Sequence, residues 1–297
     1  MDSYLVTAVA DRPIPLTTAR ALEAAAGLVA TVEPFSVGPH HGLRLTCPTA
    51  TASRAGAVAL RQRVQAAVAI DLAVVVADDA VRDPGLVVMD MDSTVISIEV
   101  IDELARAHGV GPAVAAITEQ AMRGELDFEA SLRARVAQLA GLPAAAVDEL
   151  AARLPLSPGV EALVAALTAR GTHVAIASGG FTFAADVLAA RLGCVAAYAN
   201  TLAIADGVVT GEVRGPVVTA ARKAAVVVEL AARHGVPLAR TVAIGDGGND
   251  RPMLAQAAFG VAYRAKPVLA AAADAHIIDG GVDRVLAFVA APDDPRR

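Results

Sequence analysis

Asp90 and Asp92 stand two residues apart, directly after the apolar run Leu86-Val87-Val88-Met89 and just before Ser93-Thr94. Val87 and Val88 suit a strand buried on both faces, and such strands read as unbroken apolar runs. Two carboxylates this close repel unless a cation or a shared proton holds them. The pair therefore indicates a metal site, an acid/base pair or both. One carboxylate could attack phosphorus to give an acyl-phosphate. The other could protonate a leaving oxygen and later activate water. A polar strand-to-helix turn capped by an aspartate would use the same residue types.

Three later segments carry compatible chemistry. In Ile176-Ala177-Ser178-Gly179-Gly180-Phe181 an apolar run meets a hydroxyl and two glycines. Ser178 could donate to a phosphate oxygen, and Gly179 would let a ligand approach the backbone closely. Lys223 sits near a helix start, where it could meet phosphate as a point charge. Val242-Ala243-Ile244 leads into Gly245-Asp246-Gly247-Gly248-Asn249-Asp250, acids set among glycines. Hard oxygen ligands of this kind suit Mg²⁺, which binds one or two carboxylates plus phosphate oxygen. The spacing fits neither the dinucleotide fingerprint nor the Walker loop.

In this order the four segments resemble the haloacid dehalogenase-like phosphatases, and within them the phosphoserine phosphatases, which complete serine biosynthesis. The resemblance spans about residues 83–290 and adds Glu99, Ile101-Asp102-Glu103, Met122, Phe128 and Ser131-Leu132-Arg133-Ala134-Arg135. It implies Asp90 as nucleophile and Asp92 as general acid/base. Mg²⁺ would be held by Asp90, the main-chain carbonyl of Asp92 and Asp246, with Asp250 supporting from behind. Ser178, Gly179, Lys223 and Asn249 would receive phosphate. Glu99 would meet the ammonium of O-phosphoserine and Arg135 its carboxylate, while Met122 and Phe128 would close a lid. An Arg can grip a carboxylate through two parallel hydrogen bonds. Transfer of the phosphoryl group to another alcohol, or amino-acid sensing without turnover, are the alternatives.

The positioning elements follow from the pattern. After the turn-rich Arg82-Asp83-Pro84-Gly85, β-prone runs at 86–90, 173–177, 241–245, 258–262 and 275–278 alternate with helical stretches. Alternation of this kind specifies an α/β fold, a Rossmann-like parallel sheet with helices on both faces. A helical insert over about 98–155 is too long for a simple crossover and reads as a cap. Residues 201–213 read as a hairpin turning at Asp206-Gly207. Ahead of the linker come strands at 4–10, 31–37, 42–48 and 71–77, and helices at 17–29 and 52–68, with Thr17 or Thr18 as a possible N-cap. The βαββαβ order is ferredoxin-like. It resembles the ACT domain, which implies an amino-acid effector and side-by-side homodimers. Two domains are expected, 1–82 and 83–297.

Composition narrows the setting. Of 297 residues 55% are hydrophobic and only 3% aromatic, so the core must be built mainly from Ala, Val and Leu. A net charge of −6 without a basic tract argues against nucleic acid and anionic membrane as partners. Charge interrupts each apolar stretch before the roughly 18 residues of a membrane span. Met1-Asp2-Ser3-Tyr4 does not read as the start of a leader. Cys47 and Cys194 read as two thiols in a reducing cytoplasm.

Overall fold

The computed structural model describes residues 2–27 and 30–289. Its first elements are β1 (Ser3–Ala10), α1 (Leu16–Ala26), β2 (Thr31–Val37), β3 (His40–Pro48), α2 (Arg54–Ala67) and β4 (Asp71–Val76). The strands lie in the order β2-β3-β1-β4, all antiparallel, which is the ferredoxin-like arrangement. Tyr4, Val6 and Ala8 alternate onto the face that α1 and α2 cover with Leu22, Leu60 and Val64.

Two local expectations shift here. Neither Thr17 nor Thr18 caps α1. Pro15 does, without a side-chain bond, because its ring presets φ at −63° and its carbonyl already accepts from Thr18 and Ala19. The helix ends at Gly27 in the left-handed region, and residues 28 and 29 of the expected span lie outside the described residues. The turn between β2 and β3 tightens to Gly38-Pro39, with Val37 paired to His40. Both histidines therefore join β3, and His40 is buried against Asp283 at 2.9 Å.

The remaining elements are β5 (Leu86–Met89), α3 (Val100–His108), α4 (Gly111–Met122), α5 (Phe128–Ala137), α6 (Ala144–Ala152), α7 (Val160–Thr168), β6 (His173–Phe181), α8 (Thr182–Leu192), β7 (Ala196–Ala205), β8 (Val208–Arg214), α9 (Ala220–Arg233), β9 (Thr241–Gly245), α10 (Arg251–Gln256), β10 (Phe259–Tyr263), α11 (Pro267–Ala270), β11 (Ala275–Ile277) and α12 (Val285–Val289). Strands β11-β10-β9-β5-β6-β7 form a parallel sheet, and β8 closes one edge as an antiparallel hairpin. Asp206 and Gly207 both take positive φ at that hairpin turn, as a two-residue turn of this hand requires.

Strand residues alternate between two cores. Val87 and Met89 face one side with Val174, Ile176, Val242 and Ile244. Leu86 and Val88 face the other, under Val226, Val227 and Leu230 of α9 and Met253 and Leu254 of α10. Burial on both faces accounts for the continuous apolar runs. The four helices α3–α6 leave and rejoin the sheet through a narrow neck, an antiparallel bridge between Ile96 and Leu156. They also dock on the hairpin, where Gly141 donates to Val209 and Val209 to Leu142, both at 2.8 Å.

The first four strands are not a separate sheet. β4 pairs antiparallel with β11, Ala73 with Ala275 and Leu72 with His276, so eleven strands run as one sheet. No described helix is long and apolar enough to cross a membrane. Met1 and residues 290–297, part of the two expected domains, lie outside the described residues.

Candidate active site

Chain order reverses at β5, which has β6 on one side and β9 on the other. In open α/β sheets the crevice beyond the carboxyl ends of strands at such a reversal is where ligands bind. Asp90 follows β5 there, and Asp246 follows β9. Asp90 is 4% exposed and Asp250 is fully buried. One carboxylate oxygen from each of Asp90, Asp246 and Asp250 lies within 4.8 Å of the others.

The cluster is held by charge and by backbone. Lys223, on the first turn of α9 and 1% exposed, places Nζ 2.7 Å from Asp90 Oδ1 and 2.7 Å from Asp250 Oδ1. Asp250 Oδ2 accepts from the amides of Asp246 at 3.2 Å and Gly247 at 3.0 Å. A side chain at Gly245 would collide with the Asp250 carboxyl, which explains the glycine. Burial, followed by the charge of Asp250, pushes Asp90 up to about 8 against the pull of Lys223. Burial and Asp250 likewise push Asp246 up to about 7, opposed by Lys266. Burial works against the Lys223 ammonium, but Asp90 and Asp250 outweigh it and hold the group above the usual lysine range. Carboxylates that resist losing their protons because they are buried and crowd one another are a ready site for a divalent cation.

Asp92 leaves the strand differently. The chain turns sharply at Ser93, held at φ +56°, a left-handed conformation that costs a non-glycine residue about 1 kcal/mol or more. The Ser93 hydroxyl donates to Glu99 Oε1 at 2.8 Å, and its amide to the Ile98 carbonyl. Asp92 does not join the three-carboxylate cluster. Its Oδ1 is buried without a hydrogen-bond partner among the described residues. Burial first, then Glu99 and Asp90, raise its carboxyl well above the ordinary value.

A cavity of about 200 Å³ opens over these groups. Asp90, Asp92, Glu99, Phe128, Arg135, Ser178, Gly179, Asp246 and Asn249, all expected from the sequence, line it. Phe128, at the start of α5, lays its ring over Gly179, where a Cβ would stand 2.8 Å from the ring. Met122 is not brought there. It ends α4 with 81% of its surface exposed, because α4 buries only Val114. Lys223 does not line the cavity either, since its ammonium lies beneath, between two carboxylates.

A model of haloacid dehalogenase-like hydrolases matches residues 87–255, more than half of the chain. The chain belongs to the haloacid dehalogenase-like hydrolases. The chain is 49% identical to a phosphoserine phosphatase of Vibrio cholerae serotype O1 over 208 residues, 70% of this chain and 63% of that protein. It thus spans less than two thirds of that relative's length. A haloacid dehalogenase-family hydrolase from Salmonella enterica serovar Typhi superposes with a TM-score of 0.86 at 30% identity, over 99% of both chains. A substrate-bound phosphoserine phosphatase complex superposes with a TM-score of 0.66 at 38% identity, over 69% of this chain and 98% of that one.

Two residues of the site escape the sequence reading. Asn200, buried in β7, donates to the carbonyls of Gly179 at 2.7 Å and Gly180 at 3.2 Å and accepts from Val218 at 2.8 Å, fixing the glycine loop. No sequence signal marks it. Lys266 lines the cavity from the turn after β10. Its signal was available, since that turn also follows the carboxyl end of a core strand.

Proposed function

We propose that the chain is an Mg²⁺-dependent phosphoserine phosphatase that releases L-serine and phosphate through an aspartyl-phosphate. The observation that carries this reading is one small cavity holding Asp90 and Asp92 together with Glu99 and Arg135. The first two suit phosphoryl transfer, and the opposite charges of the last two suit the ammonium and carboxylate of an amino acid. The similarity to a substrate-bound phosphoserine phosphatase supports it further.

Asp90, Asp246 and the main-chain carbonyl of Asp92 would hold Mg²⁺. Asp250, whose oxygens already accept from Lys223 and two amides, would back them. A bound divalent cation draws charge from the phosphate, so an anionic nucleophile can approach. Asp90 attacks phosphorus, forming a bond to its carboxylate oxygen as the bond to the serine oxygen breaks. Asp92, whose carboxyl burial and then Glu99 raise well above the ordinary value, gives its proton to that oxygen. The Asp92 carboxylate then takes a proton from water, which attacks phosphorus and frees Asp90 and inorganic phosphate. Ser178, the Gly179 amide and Asn249 receive the phosphate oxygens. Lys223 contributes charge from below, Phe128 screens the cavity, and Met122 would reach it only on closure of the cap.

The separate apolar core under β1–β4 supports a division after residue 82, with a catalytic unit following and a cap over about 98–155. The ferredoxin-like order supports an ACT-like unit that binds an amino acid and pairs chains as homodimers. Serine inhibition and sedimentation of the full chain test these two points. Two free thiols, Cys47 and Cys194, support a cytoplasmic setting.

The test is phosphate release from L-phosphoserine and O-phosphoethanolamine by wild type, Asp90→Asn and Arg135→Ala. The wild type should prefer phosphoserine, Asp90→Asn should be at least about a thousandfold slower, and Arg135→Ala should lose the preference. Equal wild-type rates on both substrates would remove the serine assignment.

A further inference from the structure

The cavity presents four carboxylates, Asp90, Asp92, Glu99 and Asp246, but only two cationic side chains, Arg135 and Lys266. Lys223 is sealed beneath the floor, with both neighbouring acids on its ammonium. If Arg135 takes the substrate carboxylate, Lys266 is the remaining cation that faces an entering phosphate. Its side chain is exposed and makes no hydrogen bond or ion pair with another described residue, and its charge acts on Asp246 only at longer range.

The backbone under Lys266 is fixed from two sides. Its amide donates to the Asp246 carbonyl at 2.9 Å, so it is tied to the loop that carries a carboxylate of the cluster. Its own carbonyl accepts from Leu269 and Ala270 at the start of α11. Beyond that short helix, Arg61 and Gln62 of α2 donate to the carbonyls of Ala270 and Ala271, and Arg61 Nε to that of Ala273 at 3.0 Å. Lys266 is thus a flexible arm on a rigid base, with its root beside Asp246.

We propose that Lys266 is a phosphate-binding residue of this site, meeting the phosphomonoester dianion at the cavity mouth on the Asp246 side. This rests on the reading of the site as a phosphatase but does not depend on serine as the leaving group. A cation here has two opposed effects. It attracts phosphate, and it repels a metal ion at the neighbouring carboxylates. A residue that merely supported the loop would weaken both kinds of binding when removed.

The experiment compares full-length wild type, Lys266→Met and Lys266→Arg by calorimetric titration, first with Mg²⁺ alone and then with inorganic phosphate in saturating Mg²⁺. Lys266→Met should bind phosphate about tenfold more weakly and Mg²⁺ equally or up to about tenfold more tightly, in keeping with one charge lost near the site. Lys266→Arg should restore both. The KM for phosphoserine should rise about tenfold in Lys266→Met, with the smaller part of the effect in kcat. Unchanged phosphate binding, or weaker binding of metal and phosphate together, would overturn the proposal. Failure of the wild type to hydrolyse phosphoserine would count against the serine reading instead, and the two titrations would still decide the role of Lys266.

Discussion

Arg54 and Asp274 form a two-pronged ion pair across the seam between the first four strands and the parallel sheet, Nε to Oδ1 at 2.9 Å and Nη2 to Oδ2 at 2.6 Å. The third guanidinium nitrogen donates to the Ala257 carbonyl at 3.0 Å. Asp274 is buried and accepts from the Gly260 amide as well. The backbone seam is short, with two residues of β4 paired to β11, so side chains carry much of the join. Arg54→Ala should therefore lower the unfolding free energy by about 1–3 kcal/mol, less than for a sealed pair because Arg54 is half in solvent. Urea denaturation measures this, and a loss below about 0.5 kcal/mol would mean that the seam does not depend on the pair.

Lys223 is a harsher case. With its ammonium removed, Asp90 and Asp250 face each other buried and unpaired. Lys223→Met should cost about 3–5 kcal/mol in metal-free protein, the range for breaking a sealed ion pair. Pairing the change with Asp250→Asn should recover part of that cost, because one of the two stranded charges is gone. Additive losses in the double variant would contradict the shared network.

Gly180 tests the placement of Asp92 without replacing an ionisable group. A Cβ there would stand 2.6 Å from Met91 Cε, 2.8 Å from Asp92 Oδ2 and 3.1 Å from Ser178 Oγ. The methionine tip can swing aside, but the carboxylate has to move. Gly180→Ala should reduce kcat by about 10–100-fold, as a displacement near 1 Å does, while the melting temperature falls by only a few degrees. Retained kcat would show that the position of Asp92 is not critical.

What the sequence reveals of this molecule follows from range. Leu86–Met89 and Thr241–Gly245 are buried on both faces, so their apolar runs and terminal acids stand out, and the cavity assembles where those strands end. Asp206-Gly207 is legible because its turn requires particular residues at particular positions. The continuous eleven-stranded sheet is not, because Leu72 and His276 are some two hundred residues apart and nothing local in either strand names its partner. Lys266 carries a legible signal in following the carboxyl end of a core strand, but its place beside Asp246 is set only by folding. Pro15 displaces Thr17 and Thr18 as the cap because a fixed ring competes well with a hydroxyl for starting a helix. Met122 matches by residue type, yet it stands exposed at the end of α4, since a motif names a residue without fixing the position of its helix.

The crowded carboxylates make stability depend on pH and metal together. Burial and Asp250 raise Asp90 from 3.8 to about 8 and Asp246 from 3.8 to about 7. Between those values the metal-free folded chain retains protons that the unfolded chain has shed. The contribution of these two groups is therefore fully present below pH 3.8 and is lost as pH rises through about 7 and about 8. A bound cation replaces the protons, and it competes with them less as pH rises. Addition of millimolar Mg²⁺ should thus raise the melting temperature more at about pH 8 than at about pH 6, against matched samples in chelator. Asp90→Asn removes the more strongly raised of the two carboxyls and should flatten the difference. An equal gain at both pH values in the wild type would mean that the cation binds without displacing protons from Asp90 or Asp246.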